Sequence, residues 1–493
     1  MEGDSLMSIA KKKLREDNRI DNWSYLWMAM FTAAGFFLFN IVNVFFGTLV
    51  LKILAAVIIV LLMGGLLYSS WKKTNSERRT VYVILFISIV LRLCYVIITS
   101  GAELSGPDYE AFVDVQSNLT LPETFQPLYY IASAFIFNFV SLFRFAESYA
   151  LDIVRITTEY MGIVATIAVY YILCELEAND TAIYLGTAII AFHPGLIRIG
   201  GEISPLLPMF AVMCLSMMFL SRWNNFTDGF DFIFMSVSFG AAVMLHLSAL
   251  IFAPVIATLI IINLVRVIQR KNTVNTFSSI LQTVFGVGAW GILSFAYPVR
   301  NMLEGKSTGI RQLFGSFGGT SVDLKSKFLS FSLNELLEVF INQEDKNAWI
   351  YLVKSSLFGS MTEGDIQLDM MILQLFTAIT FATAAISGVS IFGNMIARAD
   401  SKKKVNIWTF IALSACAIAY YVLHNIGTND LSFMDFREFP MILAEGVTML
   451  CCGIKVLSIK KKLSFVSQIL YFITVLISLL FCVGCVAYGC WFI

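Results

Sequence analysis

The sequence predicts an all-α fold, a polytopic integral membrane helix bundle with about thirteen transmembrane helices. Two observations carry that prediction. The 493 residues are 58% apolar and only 14% charged, with a mean hydropathy of +0.77, far from the balance of a soluble domain. Apolar runs of spanning length also recur along the chain, at about 24–46, 48–70, 80–99, 152–174, 181–199, 203–221, 230–246, 249–268, 277–297, 371–397, 406–424, 439–458 and 465–490. A net charge of zero argues against a nucleic-acid partner. The nine cysteines are scattered, mostly within apolar runs, and no pair has the loop setting of a metal site. The N-terminus is polar and basic, and the first apolar run is too long for a cleavable signal.

A further apolar run at 128–143 is short for a span, and charge decides how to place it. Lys and Arg concentrate on the cytoplasmic side of membrane proteins. The basic clusters are Lys11 to Lys13 with Arg15 and Arg19; Lys72, Lys73, Arg78 and Arg79; Arg266, Arg270 and Lys271; Arg398 with Lys402 to Lys404; and Lys455 with Lys460 to Lys462. If 128–143 crossed the membrane, the last three clusters would lie opposite the first two. If it lies in the interface, all five share the cytoplasmic side. The second arrangement is the expectation, with the N-terminus inside, the C-terminus outside and 128–143 an interfacial helix on the outer face.

That parity brings four stretches to one outer face: 100–151, the turn from Arg198 to Pro205, the long loop 298–370, and 425–438. The three histidines, His193, His246 and His424, fall near outer helix ends as well. The first stretch is the most distinctive. Between Ser100 and Gln126 it holds five acids and no Lys or Arg, with Pro107 stiffening the chain just before Asp108. The loop 298–370 has too few apolar residues for a globular domain and reads as a partly helical cap. Domain boundaries follow: 1–79 as an N-terminal segment with two extra helices, 80–297 as a core with the first outer loop, 298–370 as the outer loop, and 371–493 as the C-terminal helices.

Charges inside or at the edges of spans are costly in hydrocarbon and mark candidate functional positions: Arg92, Arg155, Glu159, Glu202 and Glu445. Arg155 and Glu159, four apart on one helix face, are expected to pair with each other. Arg437 opens the outer end of a span within Met434-Asp435-Phe436-Arg437-Glu438-Phe439-Pro440. It can snorkel to lipid headgroups or fork onto a phosphate.

The order of these motifs resembles a known family. A span with Arg92 leads to an outer loop with Asp108. Pro127-Leu128-Tyr129-Tyr130 follows, then Arg155, Phe192-His193-Pro194-Gly195 with Arg198 and Glu202, and the late Arg437 and Pro440. The pattern is similar to the GT-C glycosyltransferases, close to the protein mannosyltransferase and aminoarabinose transferase group (family 39-like). The resemblance implies an inverting transfer of a sugar from a polyprenyl-phosphate donor to a lipid, glycan or protein acceptor. It implies membrane lipids as surroundings and a bacterial plasma membrane, with the active site facing outside. Asp108 matches the family's essential outer-loop acid. Glu110, Asp114 and Glu202 stand as supporting acids, and Arg437, Arg198 and His246 as ligands of the donor phosphate. No cofactor is expected and no metal site is assigned. The chain departs from the family in three places: Tyr109 separates Asp108 from Glu110, His246 stands where many members have Lys, and Glu202 where members often have Asp. These departures leave the sugar and the metal dependence open.

Such a transfer needs a carboxylate to take the acceptor's proton and cations to meet the leaving phosphate, and the residues supply both. Two other classes remain open from sequence. A transporter or lipid flippase would place polar residues near the middle of several spans. An envelope glycan polymerase or a non-catalytic subunit would use the outer loops without a lipid-linked monosugar.

Overall fold

A computed structural model describes residues 79–99, 106–122, 126–142, 147–226, 229–269, 273–306, 324–339, 347–359, 369–396, 401–426, 434–460 and 464–492, with positions 57, 61 and 104. The expected spans at 24–46 and 48–70 lie outside the described residues. The chain divides into two compact units, Met1–Val90 and Leu91–Ile493. The interactions below all belong to the second.

Among the described residues the regular structure is helical, with no strand. In chain order come α1 (Arg79–Ile98), α2 (Pro107–Asn118), α3 (Leu128–Ser141), α4 (Glu147–Glu175), α5 (Asp180–Phe192), α6 (Pro194–Gly200), α7 (Leu206–Phe226) and α8 (Gly229–Leu245). A 3-10 turn (Leu247–Phe252) leads into α9 (Ala253–Gln269), then α10 (Thr273–Leu303), the short α11 (Leu324–Phe328) and α12 (Leu333–Leu337), and α13 (Ala348–Phe358). The chain closes with α14 (Met370–Ile396), α15 (Ser401–Ile426), a 3-10 turn (Phe436–Glu438), α16 (Met441–Lys460) and α17 (Phe465–Phe492).

Nine of the described helices are long and apolar enough to span a bilayer, ten if α5 and α6 count as one bent span. The chain is an integral, multi-pass membrane protein of all-helical fold. Three expected spans differ in detail. The run 181–199 breaks at His193, where Pro194 cannot donate to the preceding turn, and the two halves meet at 43°. The run 230–246 gives only the 17 residues of α8, about 26 Å at the usual rise. α10 also continues to Leu303, so the helix carries Pro298 inside it and passes the boundary expected at 297.

Where a polar loop is expected after α1, the chain instead forms α2. Gly106 caps it at φ +108, a conformation that an L side chain rarely adopts, and Pro107 follows at the first helical position. α2 and α3 run parallel. Asp108 meets Tyr130 and Gln116 meets Asn138, both pairs 22 residues apart in sequence. α3 has 14 residues, about 21 Å, short of the roughly 30 Å hydrocarbon thickness.

α4 provides the ruler for the bundle. Arg155 donates to the Thr99 carbonyl at the end of α1 (3.0 Å) and to the Gly201 carbonyl (2.5 Å), and it also meets the Thr99 hydroxyl. Twenty residues on, about 30 Å along the helix, Glu175 accepts from Asn225 at the end of α7, and Asn225 in turn accepts from Asn406 on α15. Lys455 reaches the neighbouring Leu176 carbonyl (2.8 Å). Helix ends therefore collect at two levels one bilayer apart.

The expected Arg155–Glu159 pair does not form. Glu159 instead accepts from Arg92 at 2.5 Å, with both side chains fully buried, and Arg155 pairs with Asp152 at 3.0 Å. Spacing on one helix put Arg155 and Glu159 on the same face. The packing of α1 against α4 offered Glu159 a closer cation. Gly162 and Gly200 leave the room, since a Cβ at either would strike the Arg92 guanidinium or the Glu159 carboxylate.

Candidate functional site

At the level of Arg155, Asp108 is the best-held acid. It is the second residue of α2, at the positive end of the helix dipole. Each oxygen has its own donor: Tyr130 Oη reaches Oδ1 at 2.6 Å and Ser204 Oγ reaches Oδ2 at 2.7 Å. Hydrogen bonds to a charged group are worth about 1.5–3 kcal/mol each. Burial, reinforced by the adjacent carboxylate, holds the Tyr130 phenol above its ordinary value, so it remains a donor. The clamp fixes where the carboxylate sits.

Arg437 occupies the 3-10 turn before α16, in contact with two acids. Its Nη1 lies 4.0 Å from Glu202 and its Nε 3.6 Å from Glu438. Both separations exceed ordinary hydrogen-bond length, and among the described residues the guanidinium makes no hydrogen bond. The side chain is 42% exposed with Nε buried, so its terminal nitrogens are the donors it presents to an oxyanion. Burial pushes the Glu438 carboxyl up to about 7, against the pull of Arg437, with Asp108, Asp435 and Glu202 adding to the rise. Burial raises Glu202 as well, opposed by Arg198 and Arg437.

Arg198 commits Nη2 to the scaffold, while its Nη1 is buried without a hydrogen-bond partner among the described residues. It donates to the Ser355 carbonyl at 3.0 Å and lies 3.9 Å from Asp435, tying α6 to α13 and to the turn that carries Arg437. Gly359, at φ +71, leaves the space that the guanidinium fills. The Phe436 amide completes the tie by donating to Ser355 Oγ at 2.9 Å. His246 precedes the 3-10 turn into α9, and its Nδ1 meets Ser248 Oγ at 2.7 Å. Burial lowers it, while Asp108 pulls the other way. Glu110 and Asp114 lie on the exposed side of α2, opposite buried Ala111, Phe112 and Val115.

These bonds join the four stretches that the charge pattern brought to one face. Asp108 links 100–151 to Ser204. Arg198 links that turn to Ser355 and Asp435, and Lys327 donates to the Asn425 carbonyl at 2.7 Å.

Comparison with known proteins adds one likeness. No family model matches the chain, and no curated protein matches it. Among solved structures it is similar to the crystal structure of the Archaeoglobus fulgidus oligosaccharyltransferase in its apo form, at 14% identity and a TM-score of 0.44. The match covers 85% of this chain and 56% of that one, so the chain spans little more than half the length of that enzyme.

Three polar groups of the site were missed as such from sequence. Tyr130 and Glu438 stand within quoted motifs, Pro127 to Tyr130 and Met434 to Pro440, yet nothing in spacing shows a phenol aimed 22 residues back or an acid leaning on its neighbour's guanidinium. Ser204 gave no signal at all. A serine before a span reads as an ordinary helix start.

Proposed function

We propose that the protein is an inverting glycosyltransferase that moves a sugar from a polyprenyl-phosphate-linked donor to a lipid, glycan or protein acceptor at the outer membrane face. The observation that carries this reading is the clamped Asp108 carboxylate, close enough for its charge to act on Arg437, whose guanidinium is held among the described residues by two long ion pairs and no hydrogen bond. An acceptor hydroxyl or amine gives its proton to Asp108 as its lone pair attacks the anomeric carbon. The bond from that carbon to the phosphate oxygen breaks, and the electron pair leaves on the phosphate. Arg437 receives that oxyanion by displacing its long contacts to Glu202 and Glu438. Attack opposite the leaving group inverts the anomeric centre, and the scheme asks for no cofactor. Glu438 then sets how readily Arg437 turns toward the donor.

The test uses full-length protein in lipid nanodiscs with radiolabelled polyprenyl-phosphate sugars. Protein-dependent release of polyprenyl phosphate is expected with at least one sugar when acceptors extracted from the same membrane are added. No release across the panel, combined with movement of the intact lipid across sealed vesicles, would replace the enzyme by a transporter.

A further inference from the structure

A cavity of about 360 Å³ lies between α5, α13, α14, α15 and α16, lined among others by Ile189, Leu352, Ala384, Gly388, Ala417 and Val447. The volume falls within the range of small-molecule sites and is more than twice that of a cavity that admits benzene. It is elongated: its wall on α14 runs from Thr380 to Ile391, about 16 Å of helix. Phe436 closes one side, its ring 5.0 Å from that of His193, while the flanking Asp435 and Arg437 belong to the polar cluster.

The polar groups of the wall are unevenly committed. Thr380, Thr383, Ser387 and Ser356 all donate inward to carbonyls of their own helices. Ser414 turns to Glu445 Oε2 at 3.4 Å. Glu445 Oε1 and His193 Nδ1 are buried with no hydrogen-bond partner, and each residue is only 2% exposed. Leaving such groups unmatched in an apolar setting costs about 1–3 kcal/mol each. Among the described residues no Lys or Arg lines the space, so an anionic head would face the Glu445 carboxyl with none of these cations to meet it.

We propose that this cavity is a binding site for a linear-chain alcohol, an amphiphile whose hydroxyl bonds Glu445 Oε1 and whose apolar chain lies along α14. A hydroxyl both donates and accepts, so it satisfies the Glu445 carboxyl in either protonation state. The site is separate from the Asp108–Arg437 cluster, and the proposal stands whether or not the transferase reading does.

Full-length protein in lipid nanodiscs, exposed to a diazirine-bearing dodecanol and irradiated, provides the test. Label is expected in the peptides containing Thr380–Ile391 or Ile442–Val447. Glu445→Leu should reduce it at least fivefold, whereas Glu445→Gln, which keeps a hydrogen-bonding group, should retain most of it. Gly388→Phe fills the cavity from a position where an added Cβ meets nothing, and should abolish the label while the protein still elutes as a single folded species. A matching diazirine-bearing dodecanoate should label these peptides several-fold less. Undiminished labelling of Gly388→Phe, or equal labelling by the carboxylate, would overturn the assignment.

Discussion

At the residue scale the proposed chemistry rests on how two side chains are held. Arg437 is unforked, so Arg437→Lys keeps its charge but loses the planar donor pair, and should raise the apparent donor KM about tenfold, while Arg437→Ala should be worse. Steady-state release of polyprenyl phosphate in nanodiscs measures both, and an unimpaired alanine variant would reduce Arg437 to a headgroup anchor. Glu438 adds a pH dependence with a definite sign. Below about 7 its carboxyl is neutral and leaves Arg437 to the phosphate; above it the carboxylate competes for the guanidinium. Apparent donor KM is therefore expected to rise as pH passes upward through about 7, and Glu438→Gln should flatten that rise. A parallel profile in the Gln variant would assign the titration to another group. These details were only partly legible in the sequence. Asp108 stood out by its place after Pro107 in an acidic stretch and by its match to the essential acid of the family it resembles, and Arg437 by standing where a span opens. Tyr130, Ser204 and Glu438 acquire meaning only from partners that the fold supplies.

At the scale of the elements, two pieces of geometry fix the site. The buried Arg92–Glu159 pair pins α1 to α4 one turn below Arg155. Arg92→Leu alone leaves a buried carboxylate without its cation and should cost about 3–5 kcal/mol, read as a clear drop in thermal unfolding temperature in detergent. The double variant Arg92→Leu, Glu159→Leu should recover most of that loss, and a double variant as unstable as the single would show that the pair acts by packing alone. The sequence located both charges but paired Glu159 wrongly, because helical spacing sees one helix and the stronger partner sits on another. The parallel α2–α3 pair is the second piece. Cysteines at Ser117 and Ser148, both exposed, should react with an impermeant thiol reagent from the same side in a background lacking native Cys. Reaction of Ser148→Cys only after permeabilisation would mean that α3 crosses. The length of the apolar run anticipated the short α3, yet nothing in the acid-rich stretch before it announced α2. Its apolar positions, Ala111, Phe112 and Val115, are too few to mark a helix until α3 packs against them.

For the whole molecule, hydropathy alone carried the multi-pass helical class, since spans of this length leave little else open. The break at His193 and the continuation of α10 through Pro298 were less legible, because neighbouring helices decide whether a proline ends a helix or bends it. The two levels of polar contacts, about 30 Å apart along α4, divide the molecule into an end rich in acids and an end that carries Lys455. Under the proposed function, lipid-linked sugar chemistry belongs to the acidic end, where Asp108 takes the acceptor's proton. Asp108→Asn tests this most directly because it keeps the shape of the clamp and removes the charge. The measurement is the turnover of polyprenyl-phosphate release at saturating donor, wild type against Asp108→Asn, with donor KM recorded alongside. The expected result is a fall in turnover of about a hundredfold or more, the usual scale for a lost general base, with KM little changed. Turnover near the wild-type rate in Asp108→Asn would contradict it.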